Sequence, residues 1–132
     1  MTLEASVLQD TSLRRSSKGY EVDVHLAWYR SLPLSCIENI SVSVDGQPVD
    51  RDQLRVLRNG EAITIDQLAD RIDEEWFVQD PLTIEVPSDS PLPKGAESEV
   101  EVNLATRIPY IIIGPNVALT QKANVKRKVV VQ

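Results

Sequence analysis

Alternation of apolar and polar side chains is the main pattern along this chain, and it predicts β-strands. From Tyr20 to Trp28 every second residue is large and apolar, while Glu21, Asp23 and His25 lie between. Side chains on an extended strand point alternately to opposite faces, so this pattern predicts a strand with one buried and one solvated face. The same period predicts strands at residues 40–44, 54–57, 62–65, 82–86, 100–104 and 125–131.

Turn sequences at short intervals separate these predicted strands. Asp45-Gly46 and Asn59-Gly60 are pairs that readily adopt the positive backbone angles of a tight hairpin turn. About seven to eight short strands with such turns favour an all-β fold, namely an antiparallel β-sandwich whose two apolar faces cover each other. A closed barrel is the alternative.

One segment, residues 66–75, has helical spacing instead. Leu68, Ala69 and Ile72 recur at the interval of a helix, and Asp66 is suited to cap its first turn. We therefore expect at most one short helix, of two turns or fewer.

Length, charge and cysteine content narrow the class of protein. With 132 residues, of which 42% are apolar and 26% charged, residues 1–132 are expected to form one domain. A net charge of −6 opposes binding to nucleic acid or to an anionic membrane. Cys36 is the only cysteine, and no apolar stretch has the length of a signal or a membrane span. We expect a cytoplasmic protein.

Residues that could support catalysis are few. His25 is the only histidine and has no nucleophile at a recognisable spacing, so neither a catalytic triad nor a metal site is expected in this chain. Residues 70–75 carry several carboxylates before Trp76-Phe77, a pattern compatible with glycosidase chemistry. We interpret this run as a solvated turn that leads into a core Trp76.

Two segments have the composition of interaction surfaces. Residues 28–36 combine aromatic side chains, an arginine and prolines, and such residues are typical of interfaces. Residues 107–116 are strongly apolar, and Pro109 cannot donate to a central β-ladder. The second segment is therefore predicted to be an edge or a projecting loop, buried either in this domain or against another chain. Lys126, Arg127 and Lys128 are interpreted as charges that protect an edge strand from aggregation.

Several short motifs resemble one known family. They are Tyr29-Arg30-Ser31-Leu32-Pro33-Leu34-Ser35-Cys36-Ile37-Glu38, Val44-Asp45-Gly46, Trp76, Asp80 and Arg107-Ile108-Pro109-Tyr110. Together, in order and over most of the chain, they resemble the small beta subunit of bacterial C-glycoside deglycosidases. The resemblance implies a small β-sandwich that pairs with a larger, isomerase-like barrel alpha subunit. It also implies that a divalent metal, Mn²⁺ or a similar ion, belongs to that partner, with no cofactor in this chain.

The resemblance implies a carbon–carbon lyase acting on 3-oxo-C-glycosides of aromatic aglycones such as flavonoids. In this heteromer the present chain is an accessory subunit and not the catalytic one. Tyr29, Arg30, Leu32, Pro33, Arg107, Pro109 and Tyr110 are then expected to face the partner or to lie near the substrate. An ion pair within the domain is the alternative role for Arg107.

A stand-alone carbohydrate-binding sandwich is the competing hypothesis. In that case Trp28, Tyr29, Trp76 and Tyr110 would stack on sugar faces. The aromatic content of 5% is low for such a module.

Overall fold

The alternating segments form strands in the structure, which is a computed structural model and describes residues 7–8, 12–26, 31–58, 60–77 and 79–132. Within these ranges there is no α-helix, and no helix has the length and hydropathy that crossing a bilayer requires. The strands in chain order are β1 (Leu13–Ser16), β2 (Gly19–Val24), β3 (Leu32–Pro33), β4 (Ile37–Val44), β5 (Gln47–Pro48), β6 (Arg55–Arg58), β7 (Glu61–Thr64), β8 (Glu75–Trp76), β9 (Leu82–Pro87), β10 (Glu97–Gly114) and β11 (Val117–Val130).

Antiparallel pairing arranges these strands in three sheets. The first has the order β1-β2-β9-β6-β7, the second β11-β10-β4-β5, and the small third sheet pairs β3 with β8. The all-β prediction is confirmed. Eight of the described strands have four residues or more, within the predicted number. The remaining three, β3, β5 and β8, have two residues each; β5 is the return of the hairpin predicted at Asp45-Gly46, whereas β1, β3 and β8 were not predicted.

The predicted apolar faces meet in one core. Buried side chains of β2, β9, β4 and β10 belong to a single apolar cluster, in which Val22, Ile84, Ile40 and Val102 are fully or almost fully buried. Each such side chain stabilises the fold by about 1.5–3 kcal/mol through removal from water. Trp28, at the end of the first predicted strand, lies outside the described residues.

The predicted turn at Asp45-Gly46 connects β4 to β5. Both residues have positive φ, 51° and 80°, as a primed hairpin turn requires. The Asp45 carboxylate also accepts hydrogen bonds from the hydroxyl of Ser98 at 3.1 Å and from the backbone N–H of Glu99 at 2.9 Å. These bonds attach the turn to β10. The second predicted hairpin, β6–β7, also forms, although Asn59 lies outside the described residues.

The start of β2 requires glycine. Gly19 has φ of 142°, and a Cβ atom there would lie 2.3 Å from the backbone nitrogen of Ser88. A side chain therefore cannot be placed at this position without displacing the backbone of the neighbouring loop.

The helix prediction needs correction. The segment forms a 3₁₀-helix over Asp66–Asp70 that ends well before residue 75, and Asp66 does not cap it. Instead, Thr64 and Gln67 exchange hydrogen bonds, Gln67 N–H to Thr64 Oγ1 at 3.2 Å and Thr64 N–H to Gln67 Oε1 at 3.1 Å. This reciprocal pair satisfies two backbone donors at the start of the helix. The 3₁₀ geometry is common in such short pieces.

The β10–β11 hairpin extends beyond the rest of its sheet. β4 pairs with β10 only as far as the register pair Ile37 and Thr106. Beyond this pair β10 continues to Gly114 and turns through Pro115 and Asn116 into β11. We call residues 107–120 the ribbon. The predicted last strand, residues 125–131, is thus the second half of a longer strand at the edge of its sheet.

Candidate functional site

Leu32 and Pro33 form the short strand β3. Leu32 lies opposite Trp76 and Pro33 opposite Glu75 in the small third sheet. The side chain of Leu32 packs in the core, whereas Pro33 is half-buried. Tyr29 and Arg30, which precede this strand, lie outside the described residues.

Trp76 is a core residue, as interpreted from the sequence. Its side chain is buried, and its indole N–H donates to the backbone carbonyl of Asp80 at 3.0 Å. A buried indole cannot stack on a sugar face. The neighbouring Phe77 is exposed instead, and with Ser31, Gln79 and Asp80 it lines a shallow depression of about 250 Å³.

Arg107, Pro109 and Tyr110 lie at the beginning of the ribbon. Arg107 is exposed, and within the described part of the chain its guanidinium has no hydrogen-bond or ion-pair partner. An intradomain ion pair, the alternative role for Arg107, is not found among the described residues. Pro109 and Tyr110 are also exposed.

A large bulge follows Arg107. The register pairs Ile108 with Leu119 and then Ile112 with Ala118, so the residues between Ile108 and Ile112 have no counterpart on β11. Pro109 starts this bulge and lacks the N–H that a regular ladder would need. The segment was predicted to be an edge or a projecting loop; it lies on β10, where β11 is its only described strand neighbour beyond Thr106.

The two groups of predicted residues lie at the same end of the four-stranded sheet. β3 is followed by the 3₁₀-helix Leu34–Cys36 and then by Ile37, which pairs with Thr106 at the base of the ribbon. That 3₁₀-helix also contacts β10. The structure thus brings residues 32–33 towards the end of the domain from which Arg107, Pro109 and Tyr110 project.

Sequence reasoning missed Val117. It lies on β11 in register with Gly114, and its side chain is exposed together with those of Ile112 and Ile113. Consecutive isoleucines beside the Pro115-Asn116 turn were the available signal. Whether β11 adds a side chain to this apolar surface depends on the β10–β11 register, which the hydrophobic pattern of the sequence does not specify.

Two carboxylates between residues 61 and 75, those of Glu61 and Glu74, take part in a partly exposed ion-pair network. Arg71 donates to Glu61, and to Glu74 at 3.1 Å, while Glu74 also lies 3.5 Å from Nε of Arg58. The hydrogen bond from Arg71 lowers the pKa of Glu61, and the two carboxylates raise the pKa of Arg71. A lowered carboxyl pKa is the opposite of what a general acid needs. This network joins the β6–β7 hairpin to the segment before β8.

No metal-ligand cluster is found among the described residues, where no three His, Cys, Asp or Glu side chains come together in a suitable arrangement. A polar groove of about 490 Å³ lies at the end of β4 away from the ribbon, and its lining includes Tyr20, Asp45, Asp50, Gln53, Ser88 and Asp89. The carboxylate of Asp45 is already bonded to Ser98 and Glu99.

Comparison with known proteins identifies relatives over most of the chain. A relative from Arthrobacter globiformis, named C-glycoside deglycosidase beta subunit, is 35% identical over 130 residues, which cover 98% of each chain. A relative of the same name from Microbacterium trichothecenolyticum is 38% identical over 107 residues, or 81% of this chain and 80% of that one. A third, from Microbacterium sp, is named 3'-dehydrocarminate deglycosidase beta subunit and is 40% identical over 111 residues, or 84% of this chain and 82% of that one.

The family profile described as C-glycoside deglycosidase beta subunit matches residues 2–110. This range includes every residue singled out from the sequence as facing a partner or a substrate. The chain therefore belongs to the C-glycoside deglycosidase beta subunit family.

Proposed function

We propose that this chain is the accessory beta subunit of a heteromeric C-glycoside deglycosidase that cleaves 3-oxo-C-glycosides of aromatic aglycones. The observation that carries the proposal is the similarity to proteins named as beta subunits, which extends over 98% of the chain in one case. A beta subunit, by its name, has a partner subunit.

The reaction proceeds by elimination because a C-glycoside has no glycosidic oxygen for an acid to protonate. A ketone at C3 acidifies the proton on C2. When a base removes that proton, the electron pair forms the C1–C2 double bond and the bond from C1 to the aglycone breaks. The aglycone carbon leaves with the electrons of that bond and takes up a proton from an acid. The name 3'-dehydrocarminate deglycosidase beta subunit, borne by a relative, fits a substrate oxidised at the sugar's 3' position.

In this proposal the base, the acid and the divalent metal belong to a larger, isomerase-like barrel alpha subunit. The chain has one histidine, and its described residues form no metal-ligand cluster. A sandwich of this kind can shape or cover a partner's site, while the reacting groups are supplied by the partner.

The proposed contact face is the ribbon end of the domain. It comprises the half-buried Pro33, supported by Leu32 from within, and the exposed Arg107, Pro109 and Tyr110. Tyr29 and Arg30 complete the predicted set. Exposed arginine and tyrosine beside apolar side chains are typical of residues that dominate binding energies.

Co-expression with a candidate alpha subunit tests the proposal. Size-exclusion chromatography should show one heteromeric species, and a 3-oxo-C-glycoside should be cleaved by the complex and not by this chain alone. If no complex forms and this chain alone binds sugars, the alternative of a carbohydrate-binding module replaces it.

A further inference from the structure

We propose that the tip of the ribbon, residues 110–117, inserts into an apolar groove of the partner subunit, and that carboxylates line the rim of this groove. The inference rests on the proposed function for the existence of a partner. Beyond that function, it identifies the surface of this chain that contacts the partner and the chemistry of the partner surface. The tip is exposed and uncharged, and the ribbon has two cations at its base and a free strand edge.

The tip presents large apolar side chains to solvent. Relative exposures are 45% for Tyr110, 60% for Ile112, 64% for Ile113 and 49% for Val117. Two consecutive isoleucines with this exposure cannot both turn towards the domain's own core, so the tip stands clear of the sandwich. Contiguous exposed apolar side chains of this kind mark interaction sites. Because the four side chains come from both strands, a groove covers them better than a flat surface.

Beyond Arg107 the ribbon carries no charge. From Ile108 to Gln121 the sequence contains no Asp, Glu, Lys, Arg or His, whereas the chain as a whole is 26% charged. Burial of an uncharged segment avoids the desolvation cost of ionised groups. The depletion of charge at the centre of an interface is the usual pattern.

Two cations lie at the base of the ribbon. Arg107 is in register with Thr120, and Lys122 with Ala105, so the two basic residues are diagonal neighbours on one face of the sheet. Both are exposed, and neither has an ion-pair partner in the described part of the chain. A partner surface that surrounds the tip complements them with carboxylates on its rim.

The ribbon also has a free strand edge. β10 pairs with β4 up to Thr106, and past this residue no described strand lies on the side of β10 opposite to β11. Backbone N–H and C=O groups along that edge can therefore bond to a strand of the partner. Addition of a strand to such an edge is a recurring mode of recognition.

A second copy of this chain is a poorer occupant. If two ribbons packed antiparallel, Arg107 of each copy would meet the uncharged tip of the other, and if they packed parallel, the cations would face each other. In either arrangement the second ribbon itself provides no carboxylate for Arg107 and Lys122. A partner of different sequence does not have this constraint.

Matched substitutions on β11 test the inference in the complex with the alpha subunit. Val117 at the tip and Val130 at the other end of β11 are both exposed, at 49% and 39%. We expect Val117→Ser to raise the dissociation constant about tenfold, and Val130→Ser to leave it unchanged. The double variant Ile112→Ser/Ile113→Ser should weaken binding further, with the circular dichroism of the free chain preserved.

Charge reversal tests the acidic rim. Lys122→Glu should weaken binding, with a larger effect at low salt, whereas Lys128→Glu, on the same strand but away from the ribbon, should not. The inference is overturned if wild type binds the alpha subunit and the tip variants bind equally well, a result that leaves the proposed function intact. Absence of any complex with wild type overturns both. Dimerisation of the free chain that Val117→Ser abolishes would assign the tip to a second copy.

Discussion

Thr120 on β11 donates its hydroxyl hydrogen to Oε1 of Glu38 on β4 at 3.0 Å. The two strands flank β10, so this bond crosses β10 on the outer face of the sheet. Thr120 lies opposite Arg107, the first ribbon residue after the β4 pairing ends. The bond therefore joins the base of the ribbon to the part of the sheet that packs on the core.

Removing this bond should loosen the ribbon without unfolding the domain. Glu38→Ala is expected to lower the free energy of unfolding by about 1 kcal/mol or less, because the bond is exposed. Backbone amides in residues 107–120 should exchange faster with deuterium. As a control, Asn124→Ala removes bonds to Glu101 and Asn103 in the middle of the same face. If the ribbon amides exchange with deuterium equally fast in both variants, the bond to Glu38 does not hold the base of the ribbon.

Arg107→Ala should weaken assembly with the alpha subunit or lower the activity of the complex, and the isolated domain should remain folded. The guanidinium has no described partner within the domain, so its removal leaves no buried charge unpaired. Arg15→Ala on β1 is the matched control, since Arg15 is also exposed and has no described ion-pair partner. Co-purification and turnover measure the effect. If Arg107→Ala leaves both co-purification and turnover unchanged, Arg107 does not belong to the contact face.

Trp76 and Phe77 are adjacent residues with opposite environments, buried and exposed. We expect Trp76→Ala to lower the free energy of unfolding by about 3–5 kcal/mol, because it opens a cavity in the core. Phe77→Ala should change it by about 0.5 kcal/mol or less. Urea unfolding of the isolated chain measures both. A Trp76→Ala chain with wild-type stability but no activity in the complex would instead place Trp76 in recognition.

The ion pair between Glu61 and Arg71 predicts a pH dependence of stability. Because the folded state lowers the pKa of Glu61, the unfolded state binds more protons as the pH falls. The ion pair's contribution to the free energy of unfolding is present above the usual glutamate pKa of about 4.3. It is lost as the pH falls through the lower pKa of the folded state. Wild type should therefore exceed Glu61→Gln in stability at pH 7 but not at strongly acidic pH.

Salt provides the control for this pH effect. The Glu61 side chain is exposed, so the difference between wild type and Glu61→Gln should shrink in 1 M salt, where the screening length is about 3 Å. Glu97→Gln, which removes an exposed carboxylate without a described ion-pair partner, should show little difference at either pH. A wild-type advantage that persists at acidic pH would contradict the assignment.

The sequence predicted the fold class because burial of one face imposes a period of two on each strand, as between Tyr20 and Leu26. The two-residue strands β3 and β8 were not predicted, since two residues define no period and Leu32 lies opposite Trp76 only in the folded chain. Over residues 66–75 the helical spacing correctly indicated helical backbone, but only a 3₁₀-helix of five residues forms.

The candidate site was predicted in part. Composition singled out Arg107, Pro109 and Tyr110, which do project from the sandwich. The ribbon's second strand was missed because both strands are exposed there and alternation requires one buried face. Val117 in particular reaches the tip through a register set by the Pro109 bulge, which local sequence does not specify.

The central claim is that this chain is one subunit of a two-subunit deglycosidase, and a titration tests it most directly. The alpha subunit is held at a fixed concentration while this chain is added, and the rate of 3-oxo-C-glycoside cleavage is measured. We predict that the rate rises and then saturates at a fixed ratio of the two chains, and that this chain alone gives none. A rate that does not depend on the added chain would contradict the account.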